Sequence, residues 1–570
     1  MKMKWMKTAV ALVLCLVMVS VSVVAAAEQN QPIIVHGGSE TVSNVDVEIL
    51  RDSAVTVGAW SWTGGMTENA SLTVLDSIKS TAESDVSHGN YTAAAELLGS
   101  YGYEAFLSVA NNVIAIGKGI SAHGIGLYPS GKNSVAKAEI GGNVVAQEIS
   151  LGSDANDDLH AIATDIYTTV KGEADLYVEG NVIADADNGQ AIAVNIDNSN
   201  SITNAAIFGD VTANGNENAV GLAIRNNANP GVTSENDKES AVNVLVGGNV
   251  SSTGYGLVIG TPIMYQAEAI DEESESATKT RVEILGDLTA ENYAIGIIDA
   301  PNTDIIVDGT VEGGKAAVVI KEDADISSTV LTVWKMIPDE NGALLLNGTL
   351  EYGDNSIVVT TTGQNKEAEK NINYIIRVIQ PDAGATLSVS GTTEYEGYDV
   401  AREGDTVFLN AVMMPGWRIL NAYWDEYQSE LMTALNDRTF YMVVPHGGGV
   451  VLSALLEKTQ KPECTRPNIT VTYRDPADSA TAYAGGYLTV NPNKKTGKHY
   501  MVAMVGNGGT IDGRSTLTKS VKEGDSLTLP IPVQDGKTFL GWSTGDNTEL
   551  IPGGTSVVIT EKVAYRAMWN

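Results

Sequence analysis

Between residues 110 and 320 the chain repeats one pattern of apolar and polar positions: an alternating apolar run, a Gly-centred turn, then a second alternating run. The segments read IAIGKGI (114–120), AEIGGNVVA (138–146), LYVEGNVIA (176–184), AIFGDVTA (206–213), VLVGGNVSS (244–252), EILGDLTA (283–290) and IIVDGTVEG (305–313). Further strand-like runs trail them: GIGLYP (124–129), AIAVNI (191–196), AVGLAI (219–224), YGLVIG (255–260), AIGIID (294–299) and AAVVI (316–320). A period of two marks strands with one buried face. A lone hairpin of such strands cannot bury that face, whereas stacked coils bury it continuously. The turn position falls at 118, 142, 180, 209, 248, 286 and 309, spaced by 24, 38, 29, 39, 38 and 23 residues. The short spacings fit one turn of three short strands. The long ones fit a turn plus an insertion, or a turn and a half. Glycine at the turn permits positive φ or close backbone approach. Asn143, Asn181, Asp210, Asn249 and Asp287 follow it; each can bond its own backbone or join a ladder of like residues between coils. About ten to thirteen coils at 4.8 Å each predict a rod of roughly 50–60 Å.

This pattern resembles the right-handed parallel β-helix of pectin-lyase-like and surface-adhesin proteins. An array of β-sandwiches is the structural rival. The rod is expected over 101–365. Residues 28–100 are expected to hold an N-terminal cap and first coils, because a solenoid end exposes unpaired backbone. There Ile33–Val35 and Val45–Ile49 read as strands, and Thr73–Ala82 and Tyr91–Leu98 as helices.

The first 27 residues read as an export signal. Lys2, Lys4 and Lys7 precede an apolar stretch from Ala9 to Val24, and Ala25-Ala26-Ala27 supplies small residues for cleavage. Its removal would take Cys15 and leave Cys464 alone, so no intramolecular disulfide is expected. No later stretch is long enough to span a bilayer. The expected location is outside the cell, secreted or held non-covalently at its surface.

Aromatic residues gather towards the C-terminus. Trp334, Trp417, Trp424, Trp542 and Trp569 are five of the eight Trp, which predicts small globular cores after the aliphatic rod. Residues 499–570 carry, in order, VGNGGT (505–510), VKEGDSLTLP (521–530), GKTFLGWST (536–544), PGGTSVVIT (552–560) and AYRAMW (564–569). This closely resembles the internalin B-repeat, or Listeria–Bacteroides repeat, with Leu540 and Arg566 as minor departures. The resemblance implies a small β-grasp-like module of bacterial surface proteins, a spacer or interaction domain without catalysis. Residues 366–458 look like a divergent copy, with AREGDTVFLNAVMMPGWRI (401–419) and RTFYMVVPHGGGVVLSALLE (438–457). Residues 459–498 read as a Pro-containing linker. Phe539, Trp542 and Trp569 are expected in a core, and Trp424 and Tyr427 at a ligand-facing surface.

The net charge is −35, from 35 Lys+Arg against 70 Asp+Glu. Residues 28–330 hold 43 Asp+Glu and 12 Lys+Arg, so the rod carries nearly all of it. Such a surface disfavours nucleic acid and anionic membranes, which need clustered Lys and Arg. It keeps a long β-rod soluble. The insertions 225–240 and 261–281 are expected to project as loops, on one binding face.

Candidate chemistry is sparse. A glycan hydrolase on a β-helix needs carboxylates a few ångströms apart; Asp154, Asp157, Asp158, Asp185 and Asp187 are the candidates. The family order of Asn-Thr-Asp, Asp-Asp and Gly-His-Gly is not kept. Asp154, Asn156, Asp158 and Asp165 hold positions 1, 3, 5 and 12 of a calcium-loop-like run, but Leu159 stands where Gly is needed. The six His are scattered in sequence with no close pair, which excludes a local zinc motif. The expected fold is all-β: a parallel β-helix followed by two β-grasp-like modules. The expected function is a non-catalytic adhesin without cofactor, binding a glycan or a host or cell-surface protein. A polysaccharide lyase or glycoside hydrolase, and a structural matrix component, are the alternatives.

Overall fold

The computed structural model describes residues 28–29, 31–49, 53–59, 66–83, 91–151, 159–169, 171–227, 240–260, 278–353, 356–459, 499–511, 516–534, 536–544, 550–561 and 563–570. The export signal, Cys15, Cys464, most of the linker and most of both insertions lie outside them. Two compact units divide the chain, the first running to Ile372 and the second from Asn373. The described residues are all-β apart from one short helix, Lys366–Glu369, capped by Asn365. None of their helices is long and apolar enough to cross a membrane.

The first unit is a parallel β-solenoid with three strands per coil. One ladder stacks strands from Gly38–Val42 to Val330–Met336, and a second runs from Glu28–Gln29 into the end of Thr303–Gly313. The third is a twelve-stranded sheet, parallel from Ile33–Val35 to Leu345–Gly353 and closed by the antiparallel strand Ser356–Gln364. Alternate residues fill the centre: Val144 and Ala146 stack on Val182 and Ala184, then on Val211 and Ala213, all fully buried. Every turn spacing from 142 onward is one coil, and the long ones carry insertions.

The turn between the first and second ladders is only one to three residues long in every coil that has one. Its side chains form a continuous hydrogen-bonded row. Ser77 Oγ accepts from Asn112 N at 3.3 Å, Asn112 Oδ1 from Asn143 N at 2.8 Å, and Asn143 Oδ1 from Asn181 N at 2.7 Å. The row continues through Asp210 N (2.7 Å), Asn249 N (2.6 Å), Asp287 N (3.0 Å) and Thr310 N (2.8 Å). From Asn143 onward glycine precedes each residue of the row, because coils approach closely here. A Cβ on Gly180 would lie 2.5 Å from Asn143 Oδ1 and 2.6 Å from the Gly142 carbonyl.

Two expectations need correction. Thr73–Ala82 and Tyr91–Leu98 are not helices: Ala70–Val74, Ile78–Glu83 and Tyr91–Leu98 are strands, one in each ladder. The described residues of 28–100 thus form coil strands in place of the two expected helices. Ala93, Ala94 and Ala95 are all buried, so the alternation that identifies a strand is absent, and pairing with neighbouring rungs overrides alanine's helical preference. The segment 114–120 is also not a repeat turn. Gly117 lies inside strand Val113–Lys118, and Asn111-Asn112 occupy the turn.

After the parallel run, the hairpin Leu345–Gly353/Ser356–Gln364 turns back over the outward side of the third ladder. Leu350 and Ile357 join a buried cluster with Ile162, Ile192, Val220, Tyr255, Tyr293 and Ala316. Tyr255 OH donates to the Ile357 carbonyl, and Ile357 N donates to Asn218 Oδ1 at 3.1 Å.

The second unit contains two small sheet systems. In residues 373–458 the strand Val451–Lys458 lies between Arg377–Val378, parallel to it, and the Trp417-bearing strand Trp417–Tyr423. In residues 499–570 the last strand, Val563–Trp569, lies between His499–Val505, parallel to it, and the Trp542-bearing strand Phe539–Ser543. Phe539 packs edge-on against both Trp542 and Trp569, with centroids 5.5 Å apart, and both Trp are buried. Their indole N–H groups donate to the Pro530 and Gly506 carbonyls. Arg566 holds the Asn507 turn through a 3.0 Å bond to Asn507 Oδ1.

Candidate functional site

Parallel stacking turns sequence positions one coil apart into neighbours about 4.8 Å apart. The outward side of the third ladder uses this to assemble a polar strip. His123 registers with Ile162 and Ile192, Gly126 with Asp165 and Asn195, and Tyr167 with Asp197 and Arg225.

Asp165 Oδ2 accepts from Tyr128 OH at 3.0 Å and its Oδ1 from Asn195 Nδ2 at 2.8 Å. The carboxyl is 2% exposed. Burial pushes its pKa up against those two hydrogen bonds, and the Asp197 charge adds to the rise. Asp197 takes a two-pronged bond from Arg225, Nε to Oδ1 at 2.8 Å and Nη2 to Oδ2 at 2.6 Å. Burial still pushes the Asp197 carboxyl up, against the pull of the guanidinium. Tyr167, between the two carboxyls in the strip, is 40% exposed.

The same strip overturns one sequence expectation. The histidines do form a close pair: His123 Nε2 and His160 Nε2 are 3.0 Å apart. Ser121 Oγ lies 3.2 Å from His160 Nδ1, and Tyr91 stacks on His123 with centroids 5.1 Å apart. Burial and the neighbouring His160 push the His123 pKa down to about 3. The separation of 37 residues matches the long coil spacings, which is the signal that sequence reading passed over.

Asp154, Asn156, Asp157 and Asp158 lie outside the described residues. Asp165 sits inside strand His160–Thr169, with both oxygens engaged as above, and not at the end of a calcium loop. Among the described residues no three His, Cys, Asp or Glu gather as metal ligands. Asp185 and Asp187 lie elsewhere, on the second ladder and at its corner with the third. Asp187 Oδ2 accepts from Ser150 N at 3.0 Å, and Asp187 N donates to Glu148 Oε2 at 3.2 Å. Glu148, unforeseen in the sequence, is 1% exposed. Burial raises its pKa first, and the Asp187 and Asp185 charges raise it further, against the Ser150 hydroxyl.

In the second unit Trp424 is half-buried, while Tyr427 is 55% exposed. Tyr427 tops a turn organised by Asp425, whose carboxylate accepts from Tyr427 N, Ser429 N, Ser429 Oγ and Glu430 N.

The connections of the solenoid are unequal. The long ones, 60–65, 84–90, 152–158, 228–239 and 261–277, all enter or leave a strand of the third ladder. No family model, no curated protein and no solved structure matches this chain.

Proposed function

We propose that this is an exported, non-catalytic binding protein of a bacterial surface or its surroundings, whose ligand contacts the third ladder. One observation carries the reading: every long connection borders that ladder, while the first-to-second turns stay short throughout. Loop variation on a rigid scaffold is how binding faces are built. The polar strip fits this role, with exposed Tyr167 beside the locked Asp197–Arg225 pair. A glycan or a surface protein is the favoured partner. The −31 charge of residues 28–330 argues against nucleic acid.

The two C-terminal modules are read as internalin B-repeats acting as spacers or interaction domains. The shared arrangement supports this: in both, the last strand lies between a parallel first strand and a Trp-bearing strand. The solenoid is read as right-handed, as in pectin-lyase-like proteins and adhesins.

The rival reading is a polysaccharide hydrolase or lyase, favoured by the Glu148–Asp185–Asp187 cluster with its raised carboxyl. Asp165 and Asp197 do not serve it, because both are almost fully buried with all their oxygens engaged. Incubating residues 28–570 with plant, mucin and matrix polysaccharides separates the readings. Retention in the pellet without new reducing ends or unsaturated sugars, weakened at least five-fold by Tyr167→Ala, supports binding. Sugar release that is lost in Glu148→Gln overturns it.

A further inference from the structure

We infer that His123 and His160 form a two-histidine site for a tetragonal divalent metal ion of the cupric or nickel type on the outward face of the third ladder. The backbones are fixed by rung pairing, which sets Ala122 opposite Ala161 and so brings the two side chains together diagonally. Their Nε2 atoms already face each other at 3.0 Å. Two nitrogens so spaced, each about 2.0 Å from one ion, subtend roughly 97°. Two imidazole nitrogens at this separation can bind one divalent ion in adjacent positions, and such sites hold Cu²⁺ and Ni²⁺ well. A small rotation of each ring converges both lone pairs.

The surroundings fit a ligand pair. Ser121 Oγ is placed to accept from His160 Nδ1–H, which turns the His160 Nε2 lone pair towards His123. Ser121 Oγ is itself held by the His160 backbone N–H at 3.2 Å. Stacking of Tyr91 fixes the plane of His123. In the metal-free protein His123 Nε2–H donates to His160 Nε2, and metal binding moves that proton to His123 Nδ1, so that both rings ligate as neutral imidazole. The acidic rod raises the local cation concentration. Among the described residues no third ligand of His, Cys, Asp or Glu type joins the pair.

The test titrates tag-free, metal-stripped protein of residues 28–570 with Cu²⁺, read by visible absorption and by the nitrogen hyperfine splitting in its electron paramagnetic resonance spectrum. The expected result is one ion per chain with micromolar affinity and two coordinated nitrogens, Ni²⁺ binding the same site and Zn²⁺ more weakly. His123→Asn and His160→Asn each weaken binding at least ten-fold. His446→Asn, distant in sequence and paired with Glu403, leaves it unchanged. Ser121→Ala weakens it a few-fold without changing the nitrogen count. A metal-dependent rise in melting temperature in the parent protein, absent from both histidine variants, checks the site independently of their own stability. No saturable binding below 100 µM (roughly 5.5 kcal/mol), or binding that survives both substitutions, overturns the inference.

Discussion

Asn181→Ala tests the turn row that holds the coils in register. Asn181 Oδ1 accepts the Asp210 N–H at 2.7 Å, beside the backbone bonds from Val182 N to the Asp210 carbonyl and from Gly209 N to the Gly180 carbonyl. Truncation removes one part-buried bond and leaves its donor unsatisfied, a cost of about 1–2 kcal/mol. That corresponds to roughly a 5–30-fold rise in local opening. Hydrogen exchange at the Asp210 amide reads it directly, with denaturant unfolding as the global measure. Solenoids couple mainly between nearest neighbours, so lost protection centres on 180–182 and 209–211 and fades a coil away. Asn181→Asp keeps the acceptor, as Asp210 and Asp287 do in the parent chain, and costs under about 0.5 kcal/mol. Gly180→Ala is harsher, about 3 kcal/mol, because its Cβ meets the Gly142 backbone, which cannot rotate away. The exposed Asn214→Ala is the control. Unchanged protection at Asp210, or a cost for Asn181→Asp equal to that of Asn181→Ala, refutes the reasoning.

Asp165 is protonated more readily folded than unfolded, so its contribution favours the fold in acid and is lost as pH rises from the unfolded value, about 3.9, through the raised folded one. Asp165→Asn stays neutral and still accepts from Asn195; its melting temperature exceeds that of the parent at pH 7, and the gap closes below pH 4. A lower melting temperature at pH 7 would contradict this. Arg225→Ala strands the buried Asp197 carboxyl and costs about 3–5 kcal/mol in chemical denaturation, with Arg225→Lys intermediate for want of the two-pronged geometry. An effect under about 1 kcal/mol would show that the pair behaves as a surface ion pair.

The coil repeat was legible because its tightest feature is also its most constrained in sequence. The short first-to-second turn needs Gly for close approach and Asn or Asp for the row, and both recur at Gly142-Asn143, Gly180-Asn181 and Gly209-Asp210. The C-terminal core was legible for a similar reason, since Phe539, Trp542 and Trp569 are too large to leave exposed in a small module. The histidine pair was not. His123 and His160 meet only when coils are in register, and the insertion at 152–158 changes the spacing at the corner that would reveal it. The strip from Asp165 to Arg225 was hidden likewise, its rungs separated by 30 and then 28 residues. Residues 91–98 misled for the opposite reason: burial on both faces leaves an Ala-rich strand without the alternation that distinguishes it from a helix.

The outward face of the third ladder divides in two, and the division argues for where a ligand sits. From Val220 onward the rows become apolar through Tyr255, Val258, Tyr293 and Val319, a surface that needs cover. The hairpin 345–364 supplies it, and Ile357 reaches back to Asn218. Before that point Ile162 and Ile192 still belong to the apolar cluster, while the other rows are polar and satisfy one another: Tyr128 and Asn195 on Asp165, Arg225 on Asp197, His160 on His123. These groups need no cover, because their hydrogen bonds are made within the strip. The hairpin's cluster reaches as far as Ile162 and Ile192, and in the polar rows beside it Tyr167 is the exposed side chain over buried Asp165 and Asp197. A ligand that docks there meets a polar surface already fixed in place, so little side-chain ordering opposes its binding.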